Sequence, residues 1–381
     1  MDLVAGRVWA DERRPIRHVD WVLIAITVAL SGVGLLLLYS ATNQTLRQDG
    51  LDPFTRVNKQ AITIVLGLGV MIALAAFDYR FFKVYAGFIY LASLLALVLV
   101  RIPGLGSTDS TGTAQRWFAI GPLQFTPSEF SKLALIVMLA AVLSELRNEP
   151  TVSDLLKLLG LAAAPLVLVF IQPDIGTSIG IAAIVVGMLI VAGTRLRHLL
   201  VLTAVGAVLV ALVFQSGAIK DYQYARLVAF LDPTGVSADA RYNLDQSLIA
   251  VGSGGLTGRG YLQGSQTNLD YVPEQHTDFI FTVAGEEFGF VGAAALLALY
   301  ALLLWRSIRI AWLSKDPFGT YVAAGIASMF AIQMFVNVGM VIGIMPITGI
   351  PLPFLSYGGT SVLICFAGVG VLESIHMRRL T

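Results

Sequence analysis

About ten apolar stretches, each close to the roughly 20 residues a helix needs to cross hydrocarbon, run through this chain and limit what it can become. They fall near 20–40, 58–77, 84–101, 127–144, 154–172, 175–193, 199–216, 278–305, 318–344 and 357–375. Of 381 residues, 56% are hydrophobic and 13% charged, which excludes a soluble multidomain enzyme. Most connections are short, as a single bundle of spanning helices requires. The expected fold class is therefore an all-α integral membrane protein, one polytopic domain over 1–381.

An even number of spans puts both termini on one side, and the basic residues indicate which. Arg13, Arg14, Arg17, Arg80, Lys83, Arg147, Arg195, Arg197, Arg306, Arg309, Lys315, Arg378 and Arg379 share the N-terminal side, the cytoplasmic one by the positive-inside rule. Arg47, Arg56 and Lys59 oppose that count and are outnumbered. The basic start leads into a span-length run with no small-residue cleavage site, so it reads as a retained first helix rather than a signal peptide. The single cysteine, Cys365, cannot form an intrachain disulfide, and no Cys/His cluster points to zinc. A nucleic-acid face is absent, the +1 net charge favours no partner, and the sequon Asn43-Gln-Thr45 is too short to carry weight.

Four interruptions stand out, all on the outer side by helix parity. Residues 217–277 run roughly 60 positions without a span-length apolar stretch, far beyond ordinary loops, so this extracytoplasmic loop between helices 7 and 8 is expected to be functional. A second loop, 102–126, carries Gly104, Gly106, Gly112 and Gly121 before Pro122 and Pro127. Gln172-Pro-Asp-Ile-Gly-Thr-Ser178 breaks spans five and six with almost no loop, where proline removes a donor and glycine relaxes the backbone. Gly349-Ile-Pro-Leu-Pro-Phe-Leu-Ser-Tyr-Gly-Gly-Thr-Ser361 precedes the last span and supplies hydroxyls. The glycine-rich stretch Gly252–Gly260 has neither the Gly-Lys-Ser/Thr of a P-loop nor the third glycine of a dinucleotide fingerprint. No nucleotide cofactor is expected, and its composition reads as a flexible loop re-entering the interface. No internal duplication is evident, which weighs against a transporter of inverted repeats.

Ionisable groups beside hydrocarbon are costly and mark working sites. Arg116 and Trp117 precede span four, and Glu129 and Lys132 share one face at its outer end, spaced i and i+3. They form either an ion pair snorkelling to the interface or a cationic cluster for a phosphate, which the planar fork of Arg suits. Asp278 opens the run Phe279-Ile-Phe281, where helix capping is its simplest role. Its company favours a site: Glu274, His276, Asp278, Asp174, Glu129, Arg116 and Lys132 reach the same side from four chain regions. Glu286 and Glu287, roughly 13 Å into the same helix, read as buried structural groups, as do Gln333 and Asn337. An outward site has no ATP, so bond formation there needs an activated substrate. A sugar on a lipid pyrophosphate fits, with cations steadying the leaving group and a carboxylate taking the acceptor's proton.

Six stretches together resemble the SEDS family (shape, elongation, division and sporulation), nearer its RodA branch than its FtsW branch. They are Ala114-Gln-Arg-Trp-Phe118, Thr126-Pro-Ser-Glu-Phe-Ser-Lys132, Gln172-Pro-Asp-Ile-Gly-Thr177, Gln246-Ser-Leu-Ile-Ala-Val-Gly-Ser-Gly-Gly255, Pro273-Glu-Gln-His-Thr-Asp-Phe-Ile-Phe281 and Pro353-Phe-Leu-Ser-Tyr-Gly-Gly359. Thr126 stands where the family pattern leads one to expect Gln, and Glu274-Gln275-His276 points to the RodA branch. The resemblance implies a ten-helix peptidoglycan glycosyltransferase of the bacterial inner membrane that polymerises lipid II for cell elongation and shape. Both termini would be cytoplasmic and the site extracytoplasmic. It implies a class B penicillin-binding transpeptidase as partner, with MreC, MreD and MreB in the wider complex. Asp278 becomes the essential carboxylate, acting as general base or as ligand of a divalent cation, Mg2+ or Mn2+. Arg116, Glu129 and Lys132 line the cavity with Asp174, Glu274 and His276 beside them. A septal polymerase and a lipid II flippase are the alternatives, and a flippase would keep polar residues along a full transmembrane path rather than at one face. A purely structural scaffold leaves the outer acids and bases unexplained.

Overall fold

A computed structural model describes residues 18–102, 104–108, 115–120, 123–146, 148–215, 230 and 238–380. Arg13, Arg14, Arg17, Arg147, Gly112, Ala114, Gly121, Pro122 and most of 217–237 lie outside the described residues.

Helices occupy every apolar window. In order they are α1 (Trp21–Gln48), α2 (Thr55–Ala76), α3 (Arg80–Val84), α4 (Ala86–Leu99), α5 (Pro127–Leu143), α6 (Val152–Ile171), α7 (Ile175–Val191), α8 (Leu196–Gln215), α9 (Ala238–Ser253), α10 (Ser265–Asn268), α11 (Ile280–Leu313), α12 (Pro317–Val341) and α13 (Gly359–Met377). Six of them, α1, α2, α6, α11, α12 and α13, are long and apolar enough to cross a membrane. Shorter apolar helices are α4, α7 and the Leu196–Leu212 part of α8. Local chemistry sets the starts: Asp20 accepts from the Leu23 amide to begin α1, Thr151 and Asp154 form a reciprocal capping box on α6, and Asp316 accepts from Gly319 on α12.

The centre of the bundle is α12 and α13, whose most apolar windows are 72% and 89% buried. Helix α13 packs along α2, and α12 lies against α11 and α7. At one end of the bundle Arg306 pairs with Asp20, whose backbone amide donates to Glu373 at 3.0 Å. The same end holds the Tyr79–Asp316 hydrogen bond and Arg80 3.5 Å from Asp316. Elements of the other end form the irregular surface described below.

Two departures from the expected pattern matter. The 102–126 loop folds into a small antiparallel sheet of β1 (Ser107–Thr108), β2 (Gln115–Ile120) and β3 (Leu123–Phe125), with Phe118 opposite Phe125. Thr360 at the start of α13 fastens β3, accepting from the Thr126 amide at 3.0 Å and donating to the Gln124 carbonyl at 2.8 Å.

The second departure is in α11, a 34-residue helix broken at Gly289, where φ is +64°. In an unbroken helix Phe290 and Val291 would donate to the carbonyls of Glu286 and Glu287, four residues back. Here they donate to Gly255 and Leu256, at 2.9 and 3.1 Å, while the Glu286 and Glu287 carbonyls accept from Arg259 and Gly260, both at 3.0 Å. The glycine-rich stretch is thus no flexible loop. It is spliced into the helix and satisfies both broken bonds, as a hydrocarbon environment demands. Only glycine allows this approach, since a Cβ on Gly258 would lie 2.1 Å from the Glu287 oxygen.

The Glu286 side chain completes the arrangement. It accepts from the amides of Gln266 and Thr267 at 2.8 and 2.9 Å and from the Thr267 hydroxyl at 2.8 Å, capping α10. Glu287 accepts from the Leu262 amide at 3.0 Å and from Ser40. Both are structural, as read from sequence, and residues 238–277 belong to the packed fold.

Candidate active site

Asp278 sits at the end of a run of turns, Pro273–Phe279, that delivers the chain into α11. Glu274 takes a positive φ of 52°, and its carbonyl gathers the amides of Thr277 and Phe279 at 3.1 and 3.3 Å. The N-cap position of α11 falls on Phe279, which makes no side-chain capping bond.

Two neighbours fix that residue. Asn337, fully buried on α12, donates through Nδ2 to the carbonyls of both Asp278 and Ile350, each at 2.7 Å. Gly349, at φ +72°, lies against the carboxylate, and a Cβ there would stand 3.1 Å from Asp278 Oδ2. Next to it the Tyr357 amide donates to the His276 carbonyl at 3.0 Å and their rings lie 5.8 Å apart. Gln60 of α2 holds the same loop, donating to the Ser356 carbonyl at 3.1 Å. Gln275 is buried and its Nε2 donates to Ala41, Thr267 and Asp270, each at 3.0 Å.

Burial, helped by repulsion from Arg56, pushes His276 down to about 4. It is neutral near pH 7. Burial raises Asp270 above its ordinary value against the opposing pull of Arg56. Arg56, which opposed the charge asymmetry in the sequence, thus faces the Asp278 turn.

The remaining expected residues approach through the break between α6 and α7. Asp174 caps α7, accepting from the Thr177 amide at 3.0 Å and its hydroxyl at 2.8 Å, and takes a longer bond of 3.3 Å from Ser128 of α5. Arg116, on β2, clamps that break, with Nε 3.0 Å from the Gln172 carbonyl and Nη2 2.6 Å from that of Pro173. One turn into α5, Lys132 and Glu129 pair at 2.7 Å, 2% and 7% exposed, so they are a buried pair rather than a snorkelling one. The second Glu129 oxygen is buried, with no hydrogen-bond partner among the described residues. Gly176 abuts the Thr348 carbonyl and Ile350, so the break touches the segment that lies on Asp278.

A chain of contacts results: Arg116 holds the Gln172–Pro173 break beside Asp174, Gly176 of that break meets Thr348 and Ile350, and Gly349 meets Asp278, two residues from the His276 that packs on Tyr357. Glu129 and Lys132 follow Ser128 on α5, whose hydroxyl reaches Asp174, while Glu274 is exposed beside Thr277. Sequence reading marked the 349–361 break without giving Gly349 or Tyr357 a role, passed over Gln60, and took Asn337 for a structural residue. The signal at Asn337 was an amide in an apolar span, shared with Gln333; Gln60 gave none.

The Asp278 carboxylate can accept a proton, and the Lys132 and Arg116 cations can steady an anion. Among the described residues no three His, Cys, Asp or Glu side chains gather as a metal site. A divalent cation would have to share Asp278 with substrate phosphates, the way Mg2+ commonly binds.

The model of the FTSW_RODA_SPOVE family, described as cell cycle protein, matches residues 20–380. The chain is 35% identical over 367 residues to a probable peptidoglycan glycosyltransferase FtsW of Geobacter sulfurreducens, covering 96% of this chain and 97% of that one. It is 37% identical over 365 residues to the peptidoglycan glycosyltransferase MrdB of Escherichia coli, covering 95% and 94%. Among solved structures, a chain from work on polymerization and crosslinking by a peptidoglycan synthase complex superposes with a TM-score of 0.81 at 32% identity, covering 95% of this chain and 99% of that one. The rod shape determining protein RodA of Thermus thermophilus gives 0.70 at 31%, covering 95% and 98%. Matched from end to end by both its fold and its motifs, this chain belongs to the SEDS family, the FtsW, RodA and SpoVE cell cycle proteins.

Proposed function

We propose that the protein is a peptidoglycan glycosyltransferase that polymerises lipid II into β-1,4-linked glycan strands during cell elongation and shape maintenance. The observation that carries this reading is the placement of Asp278 against Gly349, in a segment that also meets Gly176 of the break held by Arg116 and Asp174. The bundle lies in the inner membrane with both termini cytoplasmic and this site outside, where lipid-linked sugars but not ATP are at hand.

The Asp278 carboxylate takes the proton from the 4-hydroxyl of the acceptor's N-acetylglucosamine. That oxygen attacks the anomeric carbon of the donor's N-acetylmuramic acid, and undecaprenyl pyrophosphate leaves with inversion. Lys132, oriented by Glu129, stabilises the departing pyrophosphate, as do the Arg116 donors that do not hold Gln172 and Pro173. A divalent cation held by Asp278 and the pyrophosphate would add charge neutralisation. A class B penicillin-binding transpeptidase supplies crosslinking, in keeping with the synthase complex that a structural relative belongs to.

The test is polymerisation of purified lipid II by the purified protein, with and without the transpeptidase and EDTA. Glycan strands are expected from wild type and none from Asp278→Asn. Lipid II translocation without any polymer from wild type would overturn the reading in favour of a flippase. Restoration of septation but not rod shape in a depleted cell would move the role to division, where relatives named FtsW are 35% identical.

A further inference from the structure

Asp278 lies on a run of turns, not within a helix, so its position depends on what holds those turns. Within the run, the amides of Thr277 and Phe279 close on the Glu274 carbonyl, and Gln275 and the His276 carbonyl tie their own residues to Ala41 and Tyr357. The Asn337 amide registers residue 278 itself. Its single nitrogen carries two hydrogens, and it donates to the Asp278 carbonyl and to the Ile350 carbonyl, both at 2.7 Å. It therefore joins the turn bearing the carboxylate to the loop whose Gly349 backs that carboxylate. Asn337 emerges from α12, whose most apolar window is 72% buried, so both loops are referred to a rigid central element.

We infer that Asn337 is a positioning residue for the glycosyl transfer proposed above, a buried amide clamp that sets the Asp278 carboxylate against Gly349 at the height where it meets the acceptor hydroxyl. The inference rests on that reading of Asp278. A general base must be within hydrogen-bond reach of the proton it takes, and displacement by a fraction of an ångström carries a large rate cost. An ordinary buried asparagine would serve stability alone. This one holds the backbone of the proposed base and the backbone of its backing loop with the same atom.

The decisive variants are Asn337→Asp and Asn337→Ala. The first keeps the shape but turns the donor into an acceptor facing two carbonyls, and the second removes the clamp. Each full-length protein, purified in detergent, is compared with wild type and Asp278→Asn for melting temperature, for binding of lipid II, and for kcat, KM and the pH dependence of kcat. Per folded molecule, both variants are expected to lose about 30-fold or more in kcat with KM within about threefold, and the acid limb of the pH profile is expected to move because the carboxylate's surroundings change. Gly349→Ala, which places a methyl against the carboxylate from the other loop, should show the same split.

A merely structural Asn337 would instead reduce the folded fraction, leaving kcat per folded molecule and the pH profile unchanged; that result would overturn the inference. If the alanine variant does not fold, Asn337→Asp and Gly349→Ala decide the matter by the same readouts. Full activity in Asp278→Asn would sink the base assignment itself, whereas activity lost in Asp278→Asn but kept in both clamp variants would sink only the positioning role.

Discussion

Two acidic positions eight residues apart, Asp278 on the turns that lead into α11 and Glu286 inside that helix, are used in opposite ways. Glu286 is 0% exposed and its oxygens meet a ring of donors from Gln266, Thr267 and more distant Ser265 and Ser253. Asp278 is half-buried on the turns before α11, with Gly349 against its carboxylate. A fully buried carboxylate surrounded by donors fixes a fold; a half-buried one on a turn can face a substrate. The difference lies in the neighbours, not in the residue type.

The sharpest way to break this contrast is Asp278→Asn, which keeps size and capping ability and removes the charge. Glycan synthesis is expected to fall on the order of 100-fold or more while the melting temperature stays near wild type. A well-folded variant that polymerises at wild-type rate would erase the distinction between the two positions and move attention to Glu129 or Asp174.

Glu286→Ala should behave in the reverse manner. It strips partners from two buried amides and a hydroxyl, at roughly 1.5–3 kcal/mol for each charge-assisted bond. The expected outcome is a large drop in melting temperature and yield, with the surviving folded protein still able to make glycan. Normal stability with lost polymerisation would show that Glu286, not only Asp278, acts in chemistry.

Lys132 falls between these extremes because it belongs to the proposed pyrophosphate site and is also buried. Lys132→Ala leaves Glu129 unpaired, which costs about 3–5 kcal/mol for a buried pair broken from one side. The double variant Glu129→Gln/Lys132→Met should recover much of that stability without recovering polymerisation. Recovery of both would reduce the pair to a structural role. Arg116→Ala, by contrast, should lower polymerisation and loosen the Gln172–Pro173 break with a smaller change in melting temperature.

The mildest expected effect is in acid. Unfolded, His276 gains its proton as pH falls through about 6.5, whereas in the fold it does so only near 4. Across that window the unfolded chain binds more protons, so this histidine makes stability decline as pH is lowered. Melting curves at pH 7 and 4.5 should show a shallower acid loss in His276→Gln than in wild type. An equal loss would mean that His276 is not held neutral by its surroundings.

Much of the fold was legible because spans announce themselves: each apolar window contains a helix, and membrane length sets the expectation residue by residue. Legibility failed where backbone meets backbone. Gly252–Gly260 looks flexible by composition, since nothing in its side chains records that its carbonyls and amides mate with a gap in α11. The 102–126 stretch hid a sheet because its strands are as short as two residues. At the site, charged residues drew attention to Asp278, Lys132 and Arg116, yet the roles of Asn337 and Gly349 depend on contacts 59 and 71 positions away from Asp278, and such pairing is invisible without coordinates.

The splice at Gly289 also bears on the order of synthesis. Residues 254–260 leave the ribosome before α11 does, so the missing rungs of the helix are already made when Phe290 and Val291 arrive. Because those rungs are not covalently part of α11, a chain cut between α10 and α11 and expressed as two pieces keeps every group needed to close the ladder. A piece beginning at Ile280 and expressed alone lacks those rungs, and its two amides and two carbonyls can then be satisfied in the bilayer only by closing on one another as an unbroken helix, which removes the bend at Gly289.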